Sequence, residues 1–160
     1  MHARMSLHEP PPRLFALIIG INEYESFNIR NLVGAVLDAD AMRDYLQVHL
    51  GVPSSHIRNL RDSEAKRAAI IDEIKAFSFN GDINIGDPIL IYYAGHGGSA
   101  NTPKGWPGWE VGSDRKIELL IPYDHSSPLK DGNHKHGIPD RTLGALLSHI
   151  ASEKGDNIVR

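Results

Sequence analysis

The nine residues from Leu90 to Gly98, Leu-Ile-Tyr-Tyr-Ala-Gly-His-Gly-Gly, run an apolar strand into a small-residue turn with one proton-transferring side chain, His96, at its tip. Open α/β sheets place their chemistry just beyond the carboxyl ends of strands. Glycines on both sides let the backbone approach a bound group closely and leave amide N–H groups uncovered. A lone histidine is more often structural or merely exposed, but a histidine on such a turn can serve as general base beside a nucleophile. A neighbouring amide can then stabilise an oxyanion. The stretch suggests a His-dependent hydrolase.

Other candidates carry less. Gly95 to Gly98 could cradle a phosphate, but neither Gly-Lys-Ser/Thr opening a helix nor G-x-G-x-x-G is present. His125, His134 and His136 with Asp124 and Asp131 suggest a metal site on paper. Two of those rings flank Lys135 without helical spacing, so a solvated loop is the expectation. Asp38 and Asp40 near a helix start read as surface acids favoured by the helix dipole. Trp106 and Trp109 either line a groove or pin a long loop, the second being expected. The chain has no cysteine, which removes disulfides and thiolate metal sites.

The elements that must position His96 follow from periodicity. Leu14 to Ile21 is a continuous apolar run, a strand covered on both faces. From Gly34 a three-or-four-residue period runs through Val36, Ala39, Met42 or Arg43, Leu46 and Leu50, predicting a helix that stops at Gly51. His56 to Leu60 predicts a short strand. Asp62-Ser63-Glu64 supplies a cap and a first-turn acid for a second helix facing inward through Ile70, Ile71, Ile74 and Phe77. Pro88 to Tyr93 is a second buried strand, Ala94 to Lys116 a long loop, and Ile117 to Ile121 a strand ending at Pro122-Tyr123-Asp124. After the polar loop Ser126 to Gly137, Pro139-Asp140 opens a third helix with Leu143, Leu146, Leu147 and Ile150 on one face. That helix ends at Lys154-Gly155, and Asp156 to Val159 begins another strand. Strands alternating with helices imply an α/β fold with a mainly parallel sheet.

With 160 residues, 41% apolar and 23% charged, the chain is one globular domain. A net charge of −3 with scattered signs gives no electrostatic argument for nucleic acid or an anionic membrane. No apolar run approaches the roughly 20 residues a bilayer span needs. Residues 1–13 read as a flexible leader stiffened by Pro10-Pro11-Pro12, without the apolar region of a signal peptide. The domain is then 14–160, and a cytoplasmic or nuclear setting is the default expectation.

In order, these segments resemble the caspase-like peptidases of family C14, in particular the metacaspase-like branch of fungi and plants. The matching stretches are Ala16 to Tyr24, Asn31 to Ala39, Gly86-Asp87-Pro88, Tyr92 to Gly97, Leu120 to Asp124 and Ile138 to Asp140. The resemblance implies a caspase-like three-layer αβα sandwich and a cysteine-type endopeptidase. In it a Cys thiolate attacks the scissile carbonyl, the histidine matching His96 handles the proton, and the amide matching Gly97 contributes to the oxyanion hole. Metacaspases select Lys or Arg at P1 through an acidic S1 pocket, one of whose carboxylates matches Asp38. A carboxylate at a pocket base favours a long cationic side chain through a charge-assisted hydrogen bond.

Three positions depart from the family pattern. Leu37 stands where Asn is usual before that Asp, and Ala94 where Ser is frequent two residues before the His. The nucleophile, expected in an Asp-Cys-Cys-His-Ser-Gly-like run on the strand after the third helix, is missing. The expectation is therefore a peptidase domain truncated before its catalytic Cys, with an incomplete C-terminus, and inactive as it stands. The alternative is a non-catalytic pseudo-peptidase that binds peptides or a protein partner. The implied partners are a peptide or protein substrate and either the missing C-terminal portion or another caspase-like subunit. No cofactor or metal is implied for this chain, while calcium activation belongs to full-length family members.

Overall fold

The computed structural model describes residues 12–101 and 116–160. Two sheets and three principal helices follow in the order β1 (Phe15–Gly20), α1 (Ala35–Asp44), β2 (Ile57–Arg61), α2 (Arg67–Phe79), β3 (Ile89–Ala94), β4 (Gly97–Asn101), β5 (Lys116–Leu120), β6 (Ile138–Pro139), α3 (Asp140–Lys154) and β7 (Ile158–Val159). The main sheet has the order β2-β1-β3-β7 and is parallel throughout. This is the α/β architecture the alternation of elements implies.

The continuous apolar run of β1 is buried along its whole length because both faces are covered. Side chains alternate along a strand, so Ala16 and Ile18 meet Ala39 and Met42 of α1 and Leu46 just after it, with Leu90 and Tyr92 of β3 on the same side. Leu17 and Ile19 point the other way, into a larger core with Ile70, Ile74 and Phe77 of α2 and Ile150 of α3. Three layers result, with α1 on one face and α2 and α3 on the other. At the end of β1, a Cβ on Gly20 would stand 2.6 Å from that of Ala39, so only glycine lets α1 lie this close.

Local structure differs from the sequence expectation in three places. The helix expected to run to Leu50 changes winding at Tyr45, where Tyr45–His49 forms a π turn closed by Leu50 N–H on the Tyr45 carbonyl at 3.2 Å. The wider turn keeps Leu46 buried before Gly51 takes φ +67°. Asp62 does not cap α2, because residues 62–64 form a separate 3-10 turn. The acceptor for the Arg67 N–H is instead Asp124 Oδ1 at 2.8 Å, from 57 positions along the chain. Finally, the stretch expected as one loop from Ala94 contains β4, which pairs antiparallel with β5 from Gly97↔Leu120 to Asn101↔Lys116, and β6 adds to the other side of β5. Gly-Gly-Ser-Ala-Asn has little intrinsic strand preference, so its pairing depends on β5 and leaves no mark in the local sequence.

Arg13, counted with the leader on sequence, makes a forked ion pair with Asp87 at 2.8 Å. Trp106 and Trp109 lie outside the described residues. Among the described residues, no helix is long and apolar enough to cross a membrane.

Candidate active site

Strands β1 and β3 are in register as Gly20↔Ala94, so they end at the same level. Whatever follows them must converge. After β3 the chain turns through Gly95 and His96 into β4, and after β1 it enters the polar stretch Asn22–Gly34.

This polar stretch grips His96 from two sides. The His96 N–H donates to the Tyr24 hydroxyl at 2.8 Å, and the His96 ring Nε2 lies 2.7 Å from the Arg30 carbonyl. A carbonyl only accepts, so Nε2 carries the hydrogen in that bond. The neutral imidazole therefore keeps its lone pair on Nδ1, the nitrogen able to receive a proton. The Tyr24 and His96 rings sit 5.2 Å apart, tilted by 40°. From the core side, the Tyr93 hydroxyl lies 2.8 Å from both the His96 and the Ile121 carbonyls. Burial pushes the hydroxyl pKa of both tyrosines upward, that of Tyr93 far above the usual range.

The glycines flanking His96 are there for different reasons. A Cβ on Gly95 would come within 2.6 Å of the Tyr93 hydroxyl and 3.2 Å of that of Tyr24. On Gly97 the nearest atom would be 3.9 Å away, so space does not demand glycine there. Gly97 is exposed and opposes Leu120, while Ile121 N–H donates to the His96 carbonyl at 3.1 Å. That pattern makes Gly97–Leu120 a non-hydrogen-bonded pair, so the Gly97 N–H faces away from β5. The His96 N–H is already committed to Tyr24. At this turn, Gly97 supplies the amide still able to meet an oxyanion.

Asp38 lies exposed in the first turn of α1, whose start is held at the same sheet edge by Val36 N–H on Asn22 Oδ1 at 3.2 Å. Asp40 faces elsewhere, pairing with Arg61 at 3.1 Å and Arg43 at 3.0 Å. The structure thus puts His96, Gly97 and Asp38 at one end of the sheet.

The sequence alone did not single out the supporting groups. Asp62 Oδ1 accepts the amides of Asn22 at 2.7 Å and Glu23 at 2.9 Å, and it does so from φ +42°, an unusual conformation for a non-glycine residue. Asn31 Oδ1 accepts the Tyr24 N–H at 3.3 Å. The Arg30 carbonyl is a backbone group and leaves no residue-type signal. Tyr24 closed one of the stretches that carry the family resemblance, but no sequence feature assigned it a role.

The second histidine-bearing region is built otherwise. Asp124 is buried, and besides capping α2 it pairs with Lys135 at 2.9 Å. The expectation of a solvated loop fails at this residue, because the carboxylate ties α2 to the segment after β5. Ser127, also buried, donates to the Glu25 carboxylate. Among the described residues, no three His, Asp, Glu or Cys side chains are placed to hold a metal ion.

The caspase domain model of peptidase family C14 matches residues 13–137, well over half of the chain. The chain belongs to the caspase domain family. No curated protein matches it. Among solved structures, the caspase-domain chain is similar to the crystal structure of protein GSU0716 from Geobacter sulfurreducens, with a TM-score of 0.62 and 22% identity. That likeness covers 86% of this chain and 45% of the other, so the caspase-domain chain spans less than half the length of this relative. At that identity the likeness concerns the fold, and it agrees with the parallel sheet and its helical layers.

Proposed function

We propose that this chain is a caspase-like peptidase domain of the metacaspase type, carrying the proton-transfer half of a Cys–His dyad. The observation that carries the proposal is the ring of His96, bonded through Nε2 to the Arg30 carbonyl with Nδ1 left to accept a proton. In the reaction this supports, Nδ1 takes the proton of a cysteine thiol, the sulfur attacks the scissile carbonyl, and the Gly97 N–H receives the oxyanion. The protonated ring then gives its proton to the leaving amine, and the acyl-enzyme is released by water. The exposed Asp38 carboxylate is the group proposed to favour Lys or Arg at P1.

With no cysteine in its 160 residues, the chain is proposed to be inert alone. β7, at the edge of the main sheet, pairs with Ile89 and Leu90 of β3. Beside this edge is a cavity of about 260 Å³ lined by Ile91, Tyr93, Leu143, Leu147 and Arg160.

Fluorogenic peptides with Arg or Lys at P1, with and without calcium, test the proposal. The chain alone should give no turnover, and turnover lost in His96→Ala would contradict its inertness. The codons following Arg160 supply the second arm. If a Cys-bearing strand follows in frame, the longer protein should cleave these peptides and lose activity in His96→Ala. If none follows, the peptidase role fails. Chemical-shift changes at Asp38 and His96 on adding the same peptides would then favour the peptide-binding alternative.

A further inference from the structure

We infer that Tyr24 and Tyr93 are positioning residues for His96, their hydroxyls holding its backbone N–H and C=O and thereby fixing which ring nitrogen is free. This rests on the reading of His96 as the proton-transfer group, but it concerns ring geometry and needs no turnover.

The peptide groups around His96 make the case. Tyr24 Oη accepts the His96 N–H at 2.8 Å, and Tyr93 Oη reaches the His96 carbonyl at the same distance. Two hydroxyls therefore meet the N–H and the C=O of one residue, in a turn that lies just beyond the last β1–β3 pair, Gly20↔Ala94. Their oxygens occupy the space where a Gly95 side chain would lie, so the glycine is the counterpart of the tyrosine pair. Tyr24 is buried, 8% exposed, and its backbone is fixed in turn by Asn31 on its own N–H and by Asp62 on the two preceding amides. The same polar stretch presents the Arg30 carbonyl to Nε2 at 2.7 Å. The Tyr24 hydroxyl and the ring acceptor thus belong to one segment, and a shift of the His96 backbone by a fraction of an ångström would cost the Nε2 bond its geometry.

A ring contact alone would need only the aromatic face of Tyr24, which phenylalanine retains. The hydroxyl is what the inference requires. Tyr24→Phe keeps the tilted ring contact at 5.2 Å and removes the acceptor. The experiment is ¹⁵N NMR on the chain itself, reading the His96 tautomer from its ring nitrogens together with hydrogen exchange at its amide. In Tyr24→Phe the His96 amide should exchange about tenfold faster, and the Nε2–H tautomer should lose its dominance to a mixture. Leu17 in the core should exchange as before. Tyr93→Phe should move both readouts in the same direction but less, because Ile121 N–H still holds the His96 carbonyl. It also serves as the test if Tyr24→Phe does not fold. Wild-type exchange and tautomer ratio in a folded variant would overturn the inference. Turnover assays bear on the dyad separately, so the two can fail independently.

Discussion

His96 and the segment carrying His125, His134 and His136 both gather polar side chains at the carboxyl-terminal edge of the sheet, yet they use them differently. Around His96 the partners are backbone groups and neutral hydroxyls, and they leave one ring nitrogen and one amide uncommitted. In the other region the charged group is spent. Asp124 gives one oxygen to the start of α2 and the other to Lys135, so nothing is left for chemistry. A reactive group needs partners that fix it without satisfying it fully. A structural group is finished when every valence is filled.

The comparison can be broken most forcefully at Asp124. Asp124→Ala should cost about 2–3 kcal/mol, since it uncaps α2 and strands a cation, while leaving the His96 tautomer unchanged. Urea unfolding with NMR of the ring checks both halves. A stable variant would remove Asp124 from the support of the fold, and a displaced His96 tautomer would show that the two regions are not separable.

Gly95→Ala comes next. Its Cβ would meet Tyr93 at 2.6 Å, and overpacking of this kind costs roughly 1–3 kcal/mol. Here the loss should be accompanied by movement of the His96 amide and ring resonances. Gly97→Ala, with 3.9 Å of clearance, should leave stability within about 0.5 kcal/mol.

Asp62→Ala removes the acceptor for two amides of the polar stretch and should cost about 1 kcal/mol. The site-specific readout is faster exchange at Asn22 and Glu23, with partial loosening of the Tyr24–His96 bond. An unchanged exchange pattern would remove Asp62 from the support of the site.

The smallest effect is one of pH. Burial is the main cause holding the His125 pKa below its ordinary 6.5. The folded state therefore prefers neutral His125 more than the unfolded chain does. Its contribution is full above about pH 6.5 and is lost as the pH falls through the lower folded value. Thermal melts from pH 7.5 to 5.5 should fall less steeply in His125→Gln. Identical slopes would rule this group out.

Much of the fold was legible because the apolar pattern and the burial coincide. The run at β1, the stripe of α2 at Ile70, Ile74 and Phe77, and the α3 stop at Gly155 all reflect which face meets the sheet. β4 was illegible because its pairing comes from β5 and not from its own residues. The cap of α2 was misplaced because the nearest acid, Asp62, is drawn to the Asn22 and Glu23 amides while a distant one takes over. At the site, His96 and its glycines stood out by residue type. Arg30 acts through a carbonyl that every residue has, and Tyr24 through a hydroxyl whose target lies 72 positions away.

The central claim is that His96 is held with Nε2–H on the Arg30 carbonyl and Nδ1 free to take a proton. Long-range ¹H–¹⁵N NMR of the wild-type chain above the histidine titration range reads this directly. The account predicts a pyrrole-type Nε2 and a pyridine-type Nδ1. The reverse assignment, or an even mixture of tautomers, would contradict it.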